Sequence, residues 1–166
     1  MQILTKEINP AIHDCYRALT IQQPKADLLI AGQSVLLQSR NINYRGEILI
    51  CSSANTKDNY GMIYPERNGV TIGLAELYDT KPVAELTEEE LAGRERPNKG
   101  YGWFFRNQRR VVEMPIIGKL GLYTVVVPKG DITEYPQNLI IGDKTFKEIQ
   151  NELRRNEHPR RLLRTK

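Results

Sequence analysis

Short apolar runs, each followed by glycine, proline or a polar loop, are the feature that most limits how this chain can fold. The runs lie at residues 16–22, 35–40, 46–52, 69–79, 101–116 and 119–128. Most are of strand length and are bounded by turn residues, which is typical of a strand-rich protein rather than a helical one. The pattern predicts five or six strands.

Two short segments between these runs have helical signals. Pro24 can take the first position of a helix that Gly32 ends, with the apolar residues 28–30 between them. Thr87 and Glu90 have the spacing of a capping box, in which each side chain bonds the other residue's backbone amide. We therefore expect one early and one middle helix among the strands.

A third helix is expected near the end of the chain. Thr145 and Glu148 again have capping-box spacing, and the apolar residues of that segment fall on one helical face. Those apolar residues are Phe146, Ile149 and Leu153. This C-terminal helix would dock on the body and is a possible contact for a protein partner.

The excess of positive charge belongs to the last thirteen residues. Residues 154–166 hold six of the 24 Lys and Arg and one of the 20 Asp and Glu. Residues 1–153 therefore hold 18 basic and 19 acidic residues and are nearly neutral. A basic C-terminal tail suits a polyanion such as nucleic acid or an acidic membrane surface, and a solubilising end is the alternative.

Length and composition favour one core with an extension at each end. With 166 residues and 40% hydrophobic content, we predict an N-terminal extension over 1–14, a folded domain over 15–128, and a C-terminal helix and tail over 129–166. No apolar run approaches the ~20 residues of a membrane span, and the N-terminus lacks signal-peptide features. We expect a cytoplasmic protein with no membrane partner.

Cysteine and histidine positions give no metal-site or disulfide pattern. Cys15 and Cys51 are far apart, and His13 and His158 lie near opposite ends of the chain. We expect no metal and no cofactor. The fold predicted from the pattern is α+β, a small curved β-barrel of five to six strands with short helices and a C-terminal helix.

The order of several motifs resembles the ASCH domain, a branch of the PUA-like superfamily. The matching stretches are "ALTIQQPKADLLIAG", "SRNINYRGEILICSS", "TIGLAELYD" and "GWFFRNQRRVVEMPIIGKLGLYTV". They cover about residues 15–127 and include Gln23-Pro24, Tyr44-Arg45-Gly46, Trp103 and the 118–122 stretch "GKLGL". The combination is specific, although each match alone is weak.

This resemblance implies a small β-barrel with a ligand cleft between the first helix and the barrel. Family members are associated with RNA, other nucleic acids and nucleotides. A compact group of them consists of amidohydrolases that act on acetylated cytidine, and some relatives are ribonucleases.

The chain departs from the family at its central GxKxxExR motif. Counted back from Arg45-Gly46, the Lys, Glu and Arg positions hold Gln33, Leu36 and Gln38. Counted forward from Gly32, they hold Ser34, Leu37 and Ser39. A slip of one residue would let Arg40 replace the family arginine, and Lys25 stands where many members have Trp.

These substitutions remove the chemistry of a hydrolase. A lysine and a carboxylate in one cleft can activate water because each perturbs the pKa of the other. Gln, Ser and Leu cannot, so we predict no catalytic residue. Gln and Arg can still read a base edge or hold a phosphate, and Gln38 and Arg40 would share one strand face. A purely structural role is the alternative, and for Asn41 and Asn43 it is the preferred one.

Basic and aromatic residues also alternate in "YGWFFRNQRR", a mixture that suits single-strand stacking. Strand alternation places Trp103 and Phe105 on one buried side, which leaves Tyr101 and the arginines as candidates. The predicted ligand-binding residues are Gln23, Lys25, Gln33, Ser34, Gln38, Arg40, Tyr44, Arg45, Tyr101, Arg106, Arg109, Arg110, Arg154, Arg155, Arg160 and Arg161.

Three functions are compatible with the sequence. The preferred one is non-catalytic binding of nucleic acid, RNA more than DNA. The second is a nucleoside amidohydrolase or ribonuclease with a rearranged site, and the third is a protein-interaction adaptor.

Overall fold

A computed structural model describes residues 8–55 and 67–136 of the chain, together with the backbone of residues 140–141 and 144–145. The elements are β1 (His13–Ile21), α1 (Lys25–Ile30), β2 (Val35–Gln38), β3 (Gly46–Ser52), β4 (Thr71–Pro82), a 3-10 turn (Val83–Glu85), α2 (Glu88–Leu91), β5 (Tyr101–Arg110), β6 (Leu122–Pro128), β7 (Ile140–Ile141) and β8 (Lys144–Thr145).

Six strands form one curled sheet in the order β2-β5-β4-β3-β1-β6, and β7 and β8 pair with each other. The sheet is a half-barrel, since β2 and β6 are its two edges. Its antiparallel pairs are β2–β5, β5–β4, β4–β3 and β1–β6, while β1 and β3 are parallel. The predicted α+β class and the order of the strands and first two helices are confirmed.

The inner face of the sheet is covered by α1. Ala26, Leu29 and Ile30 of the helix are buried against strand residues that include Leu36, Trp103 and Phe105. Trp103 and Phe105 therefore share a buried face, as strand alternation predicts. Complete burial of a side chain of this size contributes roughly 1.5–3 kcal/mol, so this contact holds the short helix in place.

Gly73 on β4 lets the helix approach the sheet closely. A Cβ atom built there would lie 2.5 Å from the Arg109 carbonyl oxygen and 2.7 Å from Ile30 Cδ1. Both distances are shorter than a real Cβ atom can approach another heavy atom. Close packing of the helix therefore requires glycine at position 73.

Two smaller cores cover the outer face. One contains Leu49, Leu74 and Val125, and Met114, Ile116 and Ile132 pack against it. The other joins Val35 and Phe104 to the apolar residues of the 3-10 turn and α2. The capping box predicted for α2 is present, because the Thr87 side chain accepts from the Glu90 amide and the Glu90 carboxylate accepts from the Thr87 amide.

Two boundaries differ from the pattern-based expectation. The strand expected over 101–116 ends at Arg110, because the chain then crosses the outer face. There the Val112 amide donates to the Thr133 carbonyl and the Tyr135 amide to the Arg110 carbonyl. Residues 129–136 are thus attached to the sheet, while the domain limits at 14 and 128 remain predictions.

The C-terminal helix expected after Thr145 and the basic tail lie outside the described residues. Within the described ranges, no helix is long and apolar enough to cross a membrane.

Candidate functional site

The predicted site residues fall into separate groups around the segment that links β1 to the parallel strand β3. Gln23 and Lys25 lie at the start of α1, Gln33 and Ser34 at its junction with β2, and Gln38 at the far end of β2. Because β2 runs away from the helix junction, the first and last of these groups are at opposite ends of the sheet.

Gln23 is a buried structural residue. Its side-chain oxygen accepts from the Asp27 amide at 3.1 Å, and its side-chain nitrogen donates to the Arg67 carbonyl at 3.1 Å. The peptide bond between Gln23 and Pro24 is cis. Lys25 is exposed on the same turn and remains available to an anion.

A charged cluster surrounds the start of α1. Arg67 pairs with Asp27 at 2.7 Å, and Arg110 pairs with Glu113. Burial raises the pKa of the Asp27 carboxyl above its ordinary value of 3.8, although Arg67 and Arg110 act in the opposite direction. Burial also opposes ionisation of Glu113, but the hydrogen bond and charge of Arg110 outweigh it and lower that pKa.

Gln33 and Ser34 contribute through their backbone carbonyls. The Gln33 carbonyl accepts from the Gln108 side chain at 3.2 Å, and the Ser34 carbonyl accepts from the Phe105 amide at 2.8 Å. Ser34 is exposed and Gln33 is half-buried. These contacts fix the start of β2 against β5.

Residues 39–45, here called the crossover loop, fold over the inner face beyond β2. The Trp103 indole donates to the Arg40 carbonyl at 2.9 Å. Asn41 accepts from the Ile42 amide and from the Thr80 hydroxyl, so it has the turn role preferred above. Ile42 and Tyr44 then pack against the inner core. The loop therefore has a defined shape.

Arg45 and Arg40 differ sharply in their contacts. The Arg45 guanidinium donates to the Ile42 and Tyr44 carbonyls, each at 2.9 Å, and to the Thr80 hydroxyl at 3.0 Å. Its contacts are with neutral groups, and it ties the loop to β4. Arg40 is exposed, and within the described ranges its side chain makes no hydrogen bond or ion pair.

Arg17 is a candidate that the sequence reasoning missed. Its guanidinium lies 5.7 Å from the centre of the Tyr44 ring and donates to the Thr124 hydroxyl at 3.2 Å. Strand alternation could have found it, since Arg17 shares a β1 face with the inner-core residues Leu19 and Ile21.

We define the loop surface as Arg17, Gln38, Arg40, Tyr44 and Tyr101. Gln38 and Tyr101 are paired across β2 and β5, and Tyr44 and Tyr101 both border the inner core. The surface combines two guanidinium groups, an amide and two partly buried aromatic rings. That combination can bind a phosphate, read a polar edge and stack on a planar ring.

The three arginines of β5 are already paired with carboxylates. Arg106 makes two hydrogen bonds of 3.0 Å to Glu76, which lower the pKa of Glu76, and lies 4.7 Å from the centre of the Tyr78 ring. Arg109 bridges Glu47 and Glu134. Arg110 is buried and, as described above, holds Glu113. A phosphate would have to compete with these pairs, and their predicted role in binding stays untested.

The family's motif positions carry no acid in either register. Leu36 is buried in the inner core, and Leu37 packs against the outer core beneath α2. In the part of the chain that the structure describes, no group of three His, Cys, Asp or Glu is arranged to hold a metal ion. The predicted Arg154, Arg155, Arg160 and Arg161 lie outside that part.

Comparison with solved structures finds similarity to the ASCH protein of Zymomonas mobilis. Its crystal structure is 16% identical in sequence and aligns over 60% of this chain and 72% of that chain, with a TM-score of 0.40. Two single-residue variants of the same protein are each 15% identical over 60% of this chain. The alignments cover 74% and 73% of the variant chains, with TM-scores of 0.39 and 0.40.

No family model matches the sequence, and no curated protein matches it. The chain thus resembles ASCH domain structures in its fold.

The contrast between Arg45 and Arg40 predicts different effects on stability. Arg45→Ala should lower the free energy of unfolding by about 1–2 kcal/mol, because three charge-assisted hydrogen bonds at a solvent-exposed site are lost. Arg40→Ala should leave it unchanged within error. Urea denaturation of both variants is the measurement, and equal stability of the two would contradict the anchoring role of Arg45.

Asp27 predicts a pH dependence. Its raised pKa means that the folded state holds this proton more tightly than the unfolded state, so its contribution is complete below about pH 3.8 and is lost as the pH rises through the folded pKa. Asp27→Asn should therefore gain stability relative to the unmodified chain as the pH rises from there towards neutrality.

The measurement is urea denaturation across that pH range, with Asp79→Asn as the matched control, since Asp79 serves as an acceptor for the Thr80 amide. A difference between Asp27→Asn and the unmodified chain that stays constant with pH would show that Asp27 is not perturbed.

Proposed function

We propose that this chain is a non-catalytic module that binds single-stranded nucleic acid, RNA in preference to DNA, through the loop surface. The basic tail adds affinity that is independent of sequence.

The observation that carries the proposal is the difference in paired charge between the outer face of the sheet and the loop surface. On the outer face, Arg106 and Arg109 are neutralised by three glutamates. On the loop surface, and among the described residues, the Arg17 side chain contacts only neutral groups and the Arg40 side chain makes no hydrogen bond or ion pair. A polyanion approaching the protein therefore finds uncompensated positive charge beside the crossover loop.

Tyr44 and Tyr101 support binding of unpaired bases. Every base has an aromatic face, so a tyrosine can stack on it without selecting a sequence. Both rings are half-buried and border the inner core, so little conformational freedom would be lost on stacking. The same bases in a duplex would be stacked on one another and out of reach.

The preference for RNA rests on the polar groups around the rings. A ribose 2′-hydroxyl both donates and accepts a hydrogen bond, and an amide side chain can satisfy both. Gln38, the amide of this surface, is half-buried at the end of β2. DNA lacks the hydroxyl and would leave this contact unmade.

The absence of catalysis is inferred from the residues at the motif positions. Both registers replace the family's lysine and acid by neutral residues, and the carboxylate with a raised pKa, Asp27, is paired with Arg67 at the start of α1. It lies at the other end of the sheet from Arg40. Among the described residues, the loop surface holds no acid-base pair with which to activate water.

The direct test is affinity for a single-stranded RNA and for DNA of the same sequence at one salt concentration. The double variant Arg17→Ala/Arg40→Ala should lose roughly 1–3 kcal/mol of binding free energy per lost contact. Arg106→Ala is the matched control, because it removes a guanidinium that Glu76 already neutralises. Equal losses in the two proteins would place the binding surface elsewhere, and shortening of the RNA during the assay would favour the ribonuclease alternative.

The tail makes a separate prediction. Deletion of residues 154–166 should weaken binding to all sequences and flatten the dependence of affinity on salt. Each phosphate neutralised on a single strand contributes a slope of roughly 0.7, so six cations account for up to about four units of slope. The measurement is the dissociation constant against salt concentration for both chain lengths, and identical slopes would mean that the tail contacts no phosphate.

A further inference from the structure

Arg40 combines a fixed backbone with an exposed side chain. Gln38, two positions before it, is paired with Tyr101 across β2 and β5. The Arg40 carbonyl itself accepts from the Trp103 indole at 2.9 Å. Among the described residues, the Arg40 side chain makes no hydrogen bond or ion pair. The fold therefore fixes the position of a guanidinium group that makes no polar contact of its own.

The next residue of the crossover loop is held as well. The Asn41 side-chain oxygen accepts from the Thr80 hydroxyl and from the Ile42 amide, each at 2.8 Å. The Thr80 hydroxyl accepts in turn from the Arg45 guanidinium at 3.0 Å. Two consecutive loop residues are thus bound by side chains of two strands, the first by Trp103 of β5 and the second by Thr80 of β4.

Thr80 and Trp103 are neighbours in the sheet, because they are paired across β4 and β5. This pairing shifts by one residue between Leu77 and Asp79. Leu77 and Thr80 are three positions apart and would face opposite sides of a regular strand, but the irregularity changes the alternation. It directs the Thr80 hydroxyl to the inner face, where Leu77 and Trp103 also lie.

The start of β5 supports the first residue of the same loop. A Cβ atom built on Gly100 would lie 2.6 Å from the Gln38 carbonyl oxygen and 3.7 Å from the Ser39 Cα atom. The two segments can approach this closely only because residue 100 has no side chain. The backbone is therefore supported by β5 before Arg40 as well as at Arg40.

We propose that Thr80 and Trp103 are positioning residues, which hold the backbone of residues 40 and 41 so that the Arg40 side chain is presented to a nucleic-acid ligand. This inference rests on the proposed function, because it requires Arg40 to contact the ligand. A binding group on a fixed backbone loses less conformational freedom when the ligand binds, so affinity rises without a further contact. Neither positioning residue has to touch the ligand.

A purely structural role for these hydrogen bonds has a different consequence. Loss of one bond would then lower the free energy of unfolding and leave the affinity of the folded protein unchanged. The two roles are separated by measuring the binding of a single-stranded RNA oligonucleotide of mixed sequence to the folded variants.

Thr80→Val removes the hydroxyl and keeps the shape of the side chain. It should weaken RNA binding by roughly 5- to 30-fold, because about one residue of the loop backbone then has to be ordered on binding. Thr80→Ser keeps the hydroxyl and should restore the affinity of the unmodified chain. Thr20→Val is the matched control, since Thr20 is also half-buried and its hydroxyl is hydrogen-bonded to the Tyr123 hydroxyl at 2.7 Å. It should bind RNA like the unmodified chain.

A double-mutant cycle tests whether Thr80 acts through Arg40. In an Arg40→Ala chain, Thr80→Val should change the affinity by no more than about twofold, because the side chain that it positions is absent. Losses that simply add in the double variant would overturn this inference alone. An Arg40→Ala chain that binds RNA as tightly as the unmodified chain would overturn the proposed function and this inference with it.

Hydrogen exchange of the Trp103 indole gives a readout that needs no ligand. The chain has one tryptophan, so its nuclear magnetic resonance spectrum contains one indole N–H signal. Thr80→Val should accelerate exchange of that hydrogen, because release of Asn41 also loosens the adjacent Arg40 carbonyl that accepts it. Thr20→Val should leave the exchange rate unchanged. Equal exchange rates in the two variants would show that Thr80 and Trp103 do not act together, and would overturn the inference.

Discussion

The parallel pairing of β1 with β3 is the constraint on which the rest of the structure depends. Two parallel neighbours cannot be joined by a tight turn, so the chain must leave the sheet, cross one face and return. Residues 22–45 make that connection: α1 packs on the inner face, β2 pairs at the far edge of the sheet, and the crossover loop returns the chain to β3. The inner core is closed by the same segment that carries three of the five loop-surface residues, so a substitution in this segment can affect both the packing and the candidate site.

The segment that connects β1 to β3 contains only one short helix, so side-chain contacts, several of them made by arginines, hold it in place. The helix has six residues, which is too short to be stable alone. It is held by Gln23, by the Asp27–Arg67 pair and by the close approach at Gly73. At the end of this segment the crossover loop has no regular secondary structure. The Arg45 side chain stabilises it by donating to backbone carbonyls of the same loop. Hydrogen bonds of neutral and charged side chains thus hold this segment in place, a role that a longer helix or strand would otherwise have.

Much of the fold was predictable because its signals are local. Strand alternation placed Trp103 and Phe105 on one face, and the capping box at Thr87 located α2. The boundary at Arg110 was not predictable, because the apolar residues 111–116 are equally suited to continuing a strand and to covering the outer core. Tertiary contacts with residues 132–135 determine that residues 111–116 cover the outer core instead of continuing the strand. A local sequence pattern contains no information about such contacts.

For the candidate site, the sequence indicates the types of residue, but it does not show which arginines form ion pairs with carboxylates. Sequence alone selected Gln38 and Arg40 as candidates, which they remain, but it could not show that Arg106 and Arg109 are neutralised by carboxylates, among them Glu47 and Glu134. Arg45 was chosen as a ligand contact, whereas its hydrogen bonds give it a role in folding the loop as well. Arg17 was overlooked although strand alternation places it on the inner face. Only its contact with Tyr44 depends on the crossover.

One contact also gives the protein an optical reporter. Trp103 is the sole tryptophan of the chain, it is buried, and its indole donates to the Arg40 carbonyl in the crossover loop. Tryptophan emission depends on the polarity and hydrogen bonding around the indole, so a movement of that loop shifts the wavelength of the emission maximum. The fluorescence of the unlabelled chain should therefore respond to movement of the segment that borders the loop surface.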